Sequence, residues 1–151
     1  MTQNQIGSYI AQGNIWMNTG NWSGAHISLS TNVYSELSGL STAFTLMSPA
    51  NYFDMAVDGR LRYIGLHTRD FNVTGYCSQG AGGTPALAIY KNGSIVTGAD
   101  TYDSGTSFVF VSAPVTLATN DYVSLYLKRN AAVNPSIRQV RLWAELTGGN
   151  Q

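Results

Sequence analysis

The chain has 151 residues and a mass of 16.2 kDa, the length of one typical domain. Its eight basic and eight acidic residues give zero formal net charge, and charged residues make up only 11% of the chain. No segment gathers Lys or Arg into a run, which argues against nucleic-acid binding because that function needs clustered cations to neutralise phosphates. We expect a single domain over residues 1–151, with residues 1–12 as an extended N-terminal arm.

The N-terminal segment Met1–Gln5 is polar and uncharged, so it lacks the basic and apolar regions of a signal peptide. The apolar runs are far shorter than the ~20 residues that a membrane span needs, so no membrane insertion is expected. Cys77 is the only cysteine, which excludes an intrachain disulfide. Its expected role is that of a small buried apolar residue.

Short strands separated by turns are the expected secondary structure. No window shows the helical spacing of apolar residues, and 16 glycines interrupt the chain. Asp58-Gly59 predicts a turn before a strand at Leu61–Ile64. A further strand is expected at Phe71–Cys77, followed by an exposed loop at Ser78–Pro85.

A β-hairpin is predicted for Ala86–Lys91 and Ser94–Thr97, joined by Asn92-Gly93. Asn-Gly accepts the positive φ angles that a type I′ turn requires at both central positions, and this turn matches the twist of paired strands. A second exposed loop is expected at Asp100–Thr106. The hairpin is the clearest local structure in the sequence.

Three later segments show a period of two: Phe108 and Phe110 share a face in Ser107–Val111, as do the aliphatic residues of Tyr122–Leu127 and those of the last strand, Val140–Leu146. Strands therefore recur about every ten residues between turn signals, a spacing typical of β-sandwiches and barrels. The fold class that follows is an all-β antiparallel sandwich.

Two of these strands carry large side chains on both faces. Opposite the aliphatic face, one strand presents Tyr122 and Tyr126, and the last strand presents Arg141 and Trp143. A solvated outer face would favour plain polar residues, so a subunit interface is the predicted reason for these aromatics. The alternative is isolated aromatic side chains on the surface, which need no special explanation.

The order of these features resembles the C1q and tumour-necrosis-factor superfamily of trimeric jelly rolls. The segments that carry the resemblance are Phe71–Tyr76, Ala88–Val96, Leu117–Leu125 and Ile137–Leu146. The third segment has Asn120 where the family usually has Gly. The calcium sites of some members find no acidic cluster in this sequence.

A narrower resemblance links the chain to fibre-head or capsid-associated knobs of large DNA viruses and phages. It rests on Asn51–Gly65 and Ala118–Tyr122. The two resemblances together span residues 40–146 and leave residues 1–40 largely uncovered. They imply a homotrimer with aromatic packing around the threefold axis, for which the candidate residues are Tyr63, Tyr122, Tyr126 and Trp143.

The sequence does not carry a recognisable catalytic pattern. His26 and His67 are far apart in sequence, and no Ser lies in a G-x-S-x-G elbow. Asp54 and Asp58 would stand about 13 Å apart on a strand, beyond the usual separation of a glycosidase pair. We therefore expect no catalytic, metal-binding or cofactor-binding residues.

The function expected from these observations is that of a non-enzymatic virion surface protein. Its partners would be further copies of itself, a capsid or fibre shaft, and a host glycan or surface protein bound through loops. One alternative is a minor capsid or cement protein that stabilises the particle. A more distant alternative is a carbohydrate-active enzyme on a β scaffold.

Overall fold

The computed structural model describes residues 11–18, 25–26, 29, 31–38, 43–47, 50–79, 85–102, 108–129 and 136–147. Within these ranges the chain forms twelve β-strands and no helix. The described residues therefore contain no helix that is long and apolar enough to cross a membrane. The strands are β1 (Gln12–Asn18), β2 (Ala25–His26), β3 (Ser35–Glu36), β4 (Thr45–Leu46), β5 (Phe53–Asp54), β6 (Arg60–Tyr63), β7 (Arg69–Gln79), β8 (Pro85–Lys91), β9 (Ser94–Tyr102), β10 (Phe108–Leu117), β11 (Tyr122–Arg129) and β12 (Ser136–Leu146).

The strands form two six-stranded sheets. Sheet A has the order β10-β7-β12-β1-β4, with β2 paired to β12. Sheet B has the order β5-β6-β11-β8-β9, with β3 paired to β11. Every ladder between named strands is antiparallel. The expected antiparallel jelly-roll sandwich is confirmed.

The core lies between the inner faces of the two sheets, where long strands such as β7 and β10 bury every second residue. Strand β10 alternates between exposed and buried residues along its whole length. Strand β7 buries Phe71, Val73 and Cys77, as its sequence alternation predicted. The largest fully buried side chains come from both sheets and are Tyr63, Phe71, Ile15, Met17, Leu37, Leu61, Leu87, Ile89, Leu117, Leu125, Leu127 and Ile137.

The predicted hairpin is confirmed. Asn92 and Gly93 have φ angles of 49° and 80°, the positive values that its turn requires. The loop predicted from residue 100 is wrong at its start, because β9 continues to Tyr102. Gly98, with a φ of 74°, and a register shift between Ala88 and Tyr90 accommodate the longer strand.

An ion-paired cluster fastens the hairpin turn to the connection between β10 and β11. Asp121 accepts hydrogen bonds from the Asn92 side chain at 2.7 Å and from the Ala118 backbone N–H at 2.8 Å. It also lies 2.9 Å from the Lys91 ammonium group. Asn120 beside it has a φ of 73°, in the left-handed region that Asn and Gly enter more readily than other residues.

The two ends of the described fold lie side by side. Leu146 donates its backbone N–H to the carbonyl of Ala11 at 3.1 Å, and Gln12 pairs with Glu145. Ala11 is buried and β1 begins at Gln12, so the last two residues assigned to the arm belong to the fold. The rest of the predicted arm, residues 1–10, lies outside the described residues.

Candidate assembly surface

The four residues predicted for a trimer interface lie in three different places. Tyr63 is in the core, Tyr122 and Tyr126 lie on the outer face of sheet B, and Trp143 lies on the outer face of sheet A. The fold therefore does not bring the four together on one surface.

Tyr63 is a core residue with only 2% of its surface exposed. Its ring lies 5.4 Å from that of Phe53 and 5.1 Å from that of Phe71, and its hydroxyl donates to the His67 carbonyl at 2.8 Å. A side chain used in this way has almost no surface left for another chain. Its alternation with Leu61 on β6 already pointed inward.

The aromatic rings on the outer face of sheet B are engaged within the chain. Tyr90 and Tyr126 stack with ring centroids 3.7 Å apart, and Tyr34 meets Tyr90 edge-on at 5.9 Å. Lys128 lies 4.5 Å from the centre of the Tyr34 ring. Arg60 covers Tyr122 in the same way at 4.6 Å. These rings are therefore covered by one another and by Arg60 and Lys128 on the outer face of sheet B.

Two arginine–carboxylate pairs hold the short strands of sheet B in place. Arg60 binds Glu36 through two hydrogen bonds, of 2.8 and 2.9 Å, and Arg62 binds Asp54 in the same fork geometry. Burial alone would raise the pKa of Glu36, but the hydrogen bonds and charge of Arg60 lower it. The hydrogen bond from Arg62 likewise lowers the pKa of Asp54. These carboxylates are structural partners.

The outer face of sheet A carries a more exposed aromatic surface. One row across the sheet runs from Trp16 through Arg141 and Tyr76 to Phe110, set by the pairing of β1, β12, β7 and β10. Trp16, Phe108 and Phe110 are 36%, 49% and 53% exposed. Trp143 lies half-buried in the next row. We call this set of residues the aromatic face.

The remainder of this outer face is polar and internally hydrogen-bonded. Ser112 bonds the Thr74 hydroxyl at 3.0 Å and donates to the Asn72 side chain at 3.2 Å. Thr116 donates to Asp70 at 2.5 Å. The exposed apolar side chains of sheet A therefore lie in one half of its outer face, the half farther from Ala11 and Leu146.

Most of the aromatic face was missed in the sequence, although two signals were available. Phe108 and Phe110 were seen to share a face, but nothing local said that the face is the exposed one. Trp16 lies in the segment that the family resemblance did not cover. Period-two alternation in β1, with Ile15 and Met17 buried, is the signal that would have placed Trp16 outward.

The two histidines considered as catalytic candidates lie in different parts of the fold. His67 is exposed in the connection between β6 and β7, and only the backbone of His26, paired with Ser136, is described. No group of three His, Cys, Asp or Glu residues that could hold a metal ion occurs within the described ranges.

Cys77 is fully buried in β7, and burial raises the pKa of its thiol from 9.0 to about 12. Below pH 9 the Cys77 thiol keeps its proton in both the folded and the unfolded protein. Above it the unfolded thiol ionises first, so stability should fall as the pH rises toward 12, by at most about 1.4 kcal/mol per pH unit. Urea unfolding from pH 8 to 11, compared with Cys77→Ala to remove the tyrosine contribution, measures this. Equal slopes for the two proteins would contradict it.

No family model matches the chain, and the search of curated proteins finds no match. Solved structures, in contrast, match over almost the whole chain. The vertex protein P5 of PRD1 aligns with a TM-score of 0.64 and 12% identity, covering 92% of this chain and 99% of that one. The chain is a TNF-like jelly roll with a viral protein among its structural neighbours.

Two TNF-family proteins show the same fold. An Eiger TNF from S. frugiperda aligns with a TM-score of 0.58 and 13% identity, covering 94% of this chain and 96% of that one. Murine APRIL aligns with a TM-score of 0.56 and 9% identity, covering 89% and 99%. These three structural neighbours are a virus vertex protein, a TNF and APRIL.

Proposed function

We propose that the chain is a non-enzymatic, homotrimeric knob on the surface of a virus particle, where it serves host attachment. The observation that carries the proposal is the aromatic face. Aromatic residues are enriched in the centres of protein–protein interfaces, and a cluster of them exposed on one chain marks a surface that another chain can cover. The fold shared with a viral vertex protein supports the virion location. The threefold state is the one that the family resemblance implies.

Sheet A supplies the better surface for self-association. Its exposed Trp and Phe rings leave apolar area in water, whereas the tyrosines of sheet B are covered by Arg60, Lys128 and one another. Burying apolar area stabilises an assembly by about 25 cal/mol per Å². Of the four predicted interface residues, Trp143 is thus the one on the proposed surface.

Native mass spectrometry at micromolar concentration tests the assembly. We expect wild type at three times the 16.2 kDa chain mass and Trp143→Ser as a monomer, because the substitution removes an aromatic from the interface. Tyr122→Ser, on the opposite sheet, is the matched control and should remain a trimer. A monomeric wild-type protein would overturn the proposal.

Attachment is tested by glycan-array and host-cell binding of the trimer beside the monomeric Trp143→Ser protein. Because three weak contacts act together, the trimer should bind at least about 100-fold more tightly than the monomer. Equal binding by the two proteins would contradict a role for avidity in attachment.

The alternative role is that of a cement protein, favoured by the same aromatic face. It makes the opposite prediction: the trimer would bind neither cells nor glycans but would co-sediment with virus particles that lack it. That result would replace host attachment while leaving the assembly proposal intact.

A further inference from the structure

The turn of the β8–β9 hairpin contains a chemically labile residue pair. Asn92-Gly93 is the only Asn-Gly dipeptide in the chain, and both residues are exposed to water. In such a pair the backbone nitrogen of Gly can attack the side-chain carbon of Asn and expel ammonia. Water then opens the cyclic imide to aspartate or isoaspartate. Glycine permits the attack because it has no side chain beside its nitrogen.

The folded chain holds the Asn92 side chain at both of its polar atoms. Its oxygen accepts the Tyr122 backbone N–H at 3.0 Å, and its amide nitrogen donates to Asp121 at 2.7 Å. The Asn92 backbone N–H also donates to the Tyr122 carbonyl at 3.1 Å. For the reaction to start, the side-chain amide must turn its carbon toward the Gly93 nitrogen. That rotation breaks both side-chain hydrogen bonds.

Asp121 is the stronger of the two partners, because a hydrogen bond to an ionised acceptor is about twice as strong as a neutral one. The carboxylate is itself fixed in position. It accepts the Ala118 backbone N–H at 2.8 Å and lies 2.9 Å from the Lys91 ammonium group. Lys91 in turn donates to the Thr116 carbonyl at 2.8 Å. The acceptor for the Asn92 amide is therefore already in place before the amide binds it.

The reaction would remove the contact that restrains it. Conversion of Asn92 to an acid replaces the N–H donor by a second carboxylate opposite Asp121, and like charges at this range repel. The isoaspartate product also adds a methylene group to the backbone of a two-residue turn, whose length sets the pairing of β8 with β9. The loss of ammonia makes the change irreversible in practice.

We infer that Asn92 is a latent deamidation site, which Asp121 keeps unreactive and whose reaction would release the hairpin turn from the connection between β10 and β11. The rate would be set by local opening of the Asn92–Asp121 contact, since local openings need less free energy than global unfolding. The inference does not depend on the proposed self-association, because every contact it uses lies within one chain.

The inference is tested by incubating the protein at pH 8 and 37 °C and following the Asn92 peptide by mass spectrometry. Wild-type protein in its folded state should react at least about 100-fold more slowly than the same chain unfolded in urea, because two side-chain hydrogen bonds are absent from the unfolded chain. Asp121→Ala, folded under the same conditions, should react at least about tenfold faster than wild type, since the charged partner is lost.

Two further variants separate local opening from general destabilisation. Phe71→Ala removes a buried ring from the core and destabilises the fold without touching the turn, so its Asn92 should react at close to the wild-type rate. Asp121→Asn keeps the shape of the side chain and one acceptor oxygen. It should react at a rate between those of wild type and Asp121→Ala, and it takes the place of that variant if Asp121→Ala does not fold.

The aspartate product is tested directly by Asn92→Asp. Asp-Gly still suits the turn, so a thermal midpoint lowered by at least about 2 °C would report the lost contact with Asp121. The inference is overturned if folded and unfolded wild type react equally fast, if neither Asp121 variant reacts faster than wild type, if Phe71→Ala accelerates the reaction as much as Asp121→Ala, or if Asn92→Asp melts at the wild-type temperature. A monomeric wild-type protein would refute the trimer and leave this inference standing.

Discussion

Replacing Phe71 by Ala should lower the free energy of unfolding by about 3–5 kcal/mol, the largest effect expected of a single substitution in this chain. The Phe71 ring is fully buried and meets two other aromatic rings, those of Phe53 at 5.2 Å and Tyr63 at 5.1 Å. Phe53 and Tyr63 come from sheet B and Phe71 from sheet A. The substitution would leave a cavity where the two sheets meet, and neighbouring strands could not collapse into it easily.

Urea unfolding followed by circular dichroism measures this effect. Phe71→Leu is the graded control and should cost clearly less, since most of the volume is retained. Leu66→Ala is the surface control, because Leu66 is 87% exposed in the connection between β6 and β7, and it should change stability by no more than about 0.5 kcal/mol. Comparable losses for Phe71→Ala and Leu66→Ala would mean that the aromatic cluster does not join the sheets as described.

The second large effect is expected for Asp121→Ala, at about 2–3 kcal/mol. The carboxylate accepts hydrogen bonds from Ala118 and Asn92 and pairs with Lys91, so its removal leaves several donors without an acceptor. Asp70→Ala is the matched control, since Asp70 is exposed and its carboxylate accepts a hydrogen bond from the Thr116 hydroxyl on the neighbouring strand. The control should cost no more than about 1 kcal/mol.

The same carboxylate gives a pH signature. Burial tends to raise the pKa of Asp121, but the hydrogen bonds and the Lys91 charge outweigh it, so the folded-state pKa is lowered. A group with a lowered folded pKa contributes stability above its unfolded pKa, and that stability is lost as the pH falls through the folded value. Wild-type stability should therefore drop more between pH 5 and pH 2 than that of Asp121→Ala. Parallel pH profiles would show that Asp121 is not tied into the turns.

The parts of the fold that could be predicted from sequence are those set by local chemistry. Asn92-Gly93 specifies its hairpin because few residues accept positive φ, and Asn120 adopts the same region for the same reason. Alternation along β11 and β12 also predicted which side chains face the core. Tyr63 is buried in the core, and its own strand carried the signal, since it alternates in phase with buried Leu61.

The candidate site could not be predicted in the same way, because it depends on which strands are neighbours. Trp16, Tyr76 and Phe110 are distant in sequence and become one row only through the ladders of sheet A. Aromatic residues occur on the outer faces of both sheets, and the composition of the strands does not separate them. Arg60 and Lys128 do, by covering the rings of sheet B.

The neighbouring positions of Ala11 and Leu146 have a mechanical consequence. They begin and end two adjacent antiparallel strands, so a force pulling these positions apart would open the β1–β12 ladder like a zipper, from Gln12 and Glu145 toward Asn18 and Gln139. Hydrogen bonds loaded one pair at a time yield at lower force than a ladder sheared as a whole. A force applied at only one of the two positions, with the other left free, would not pull this ladder open from its end.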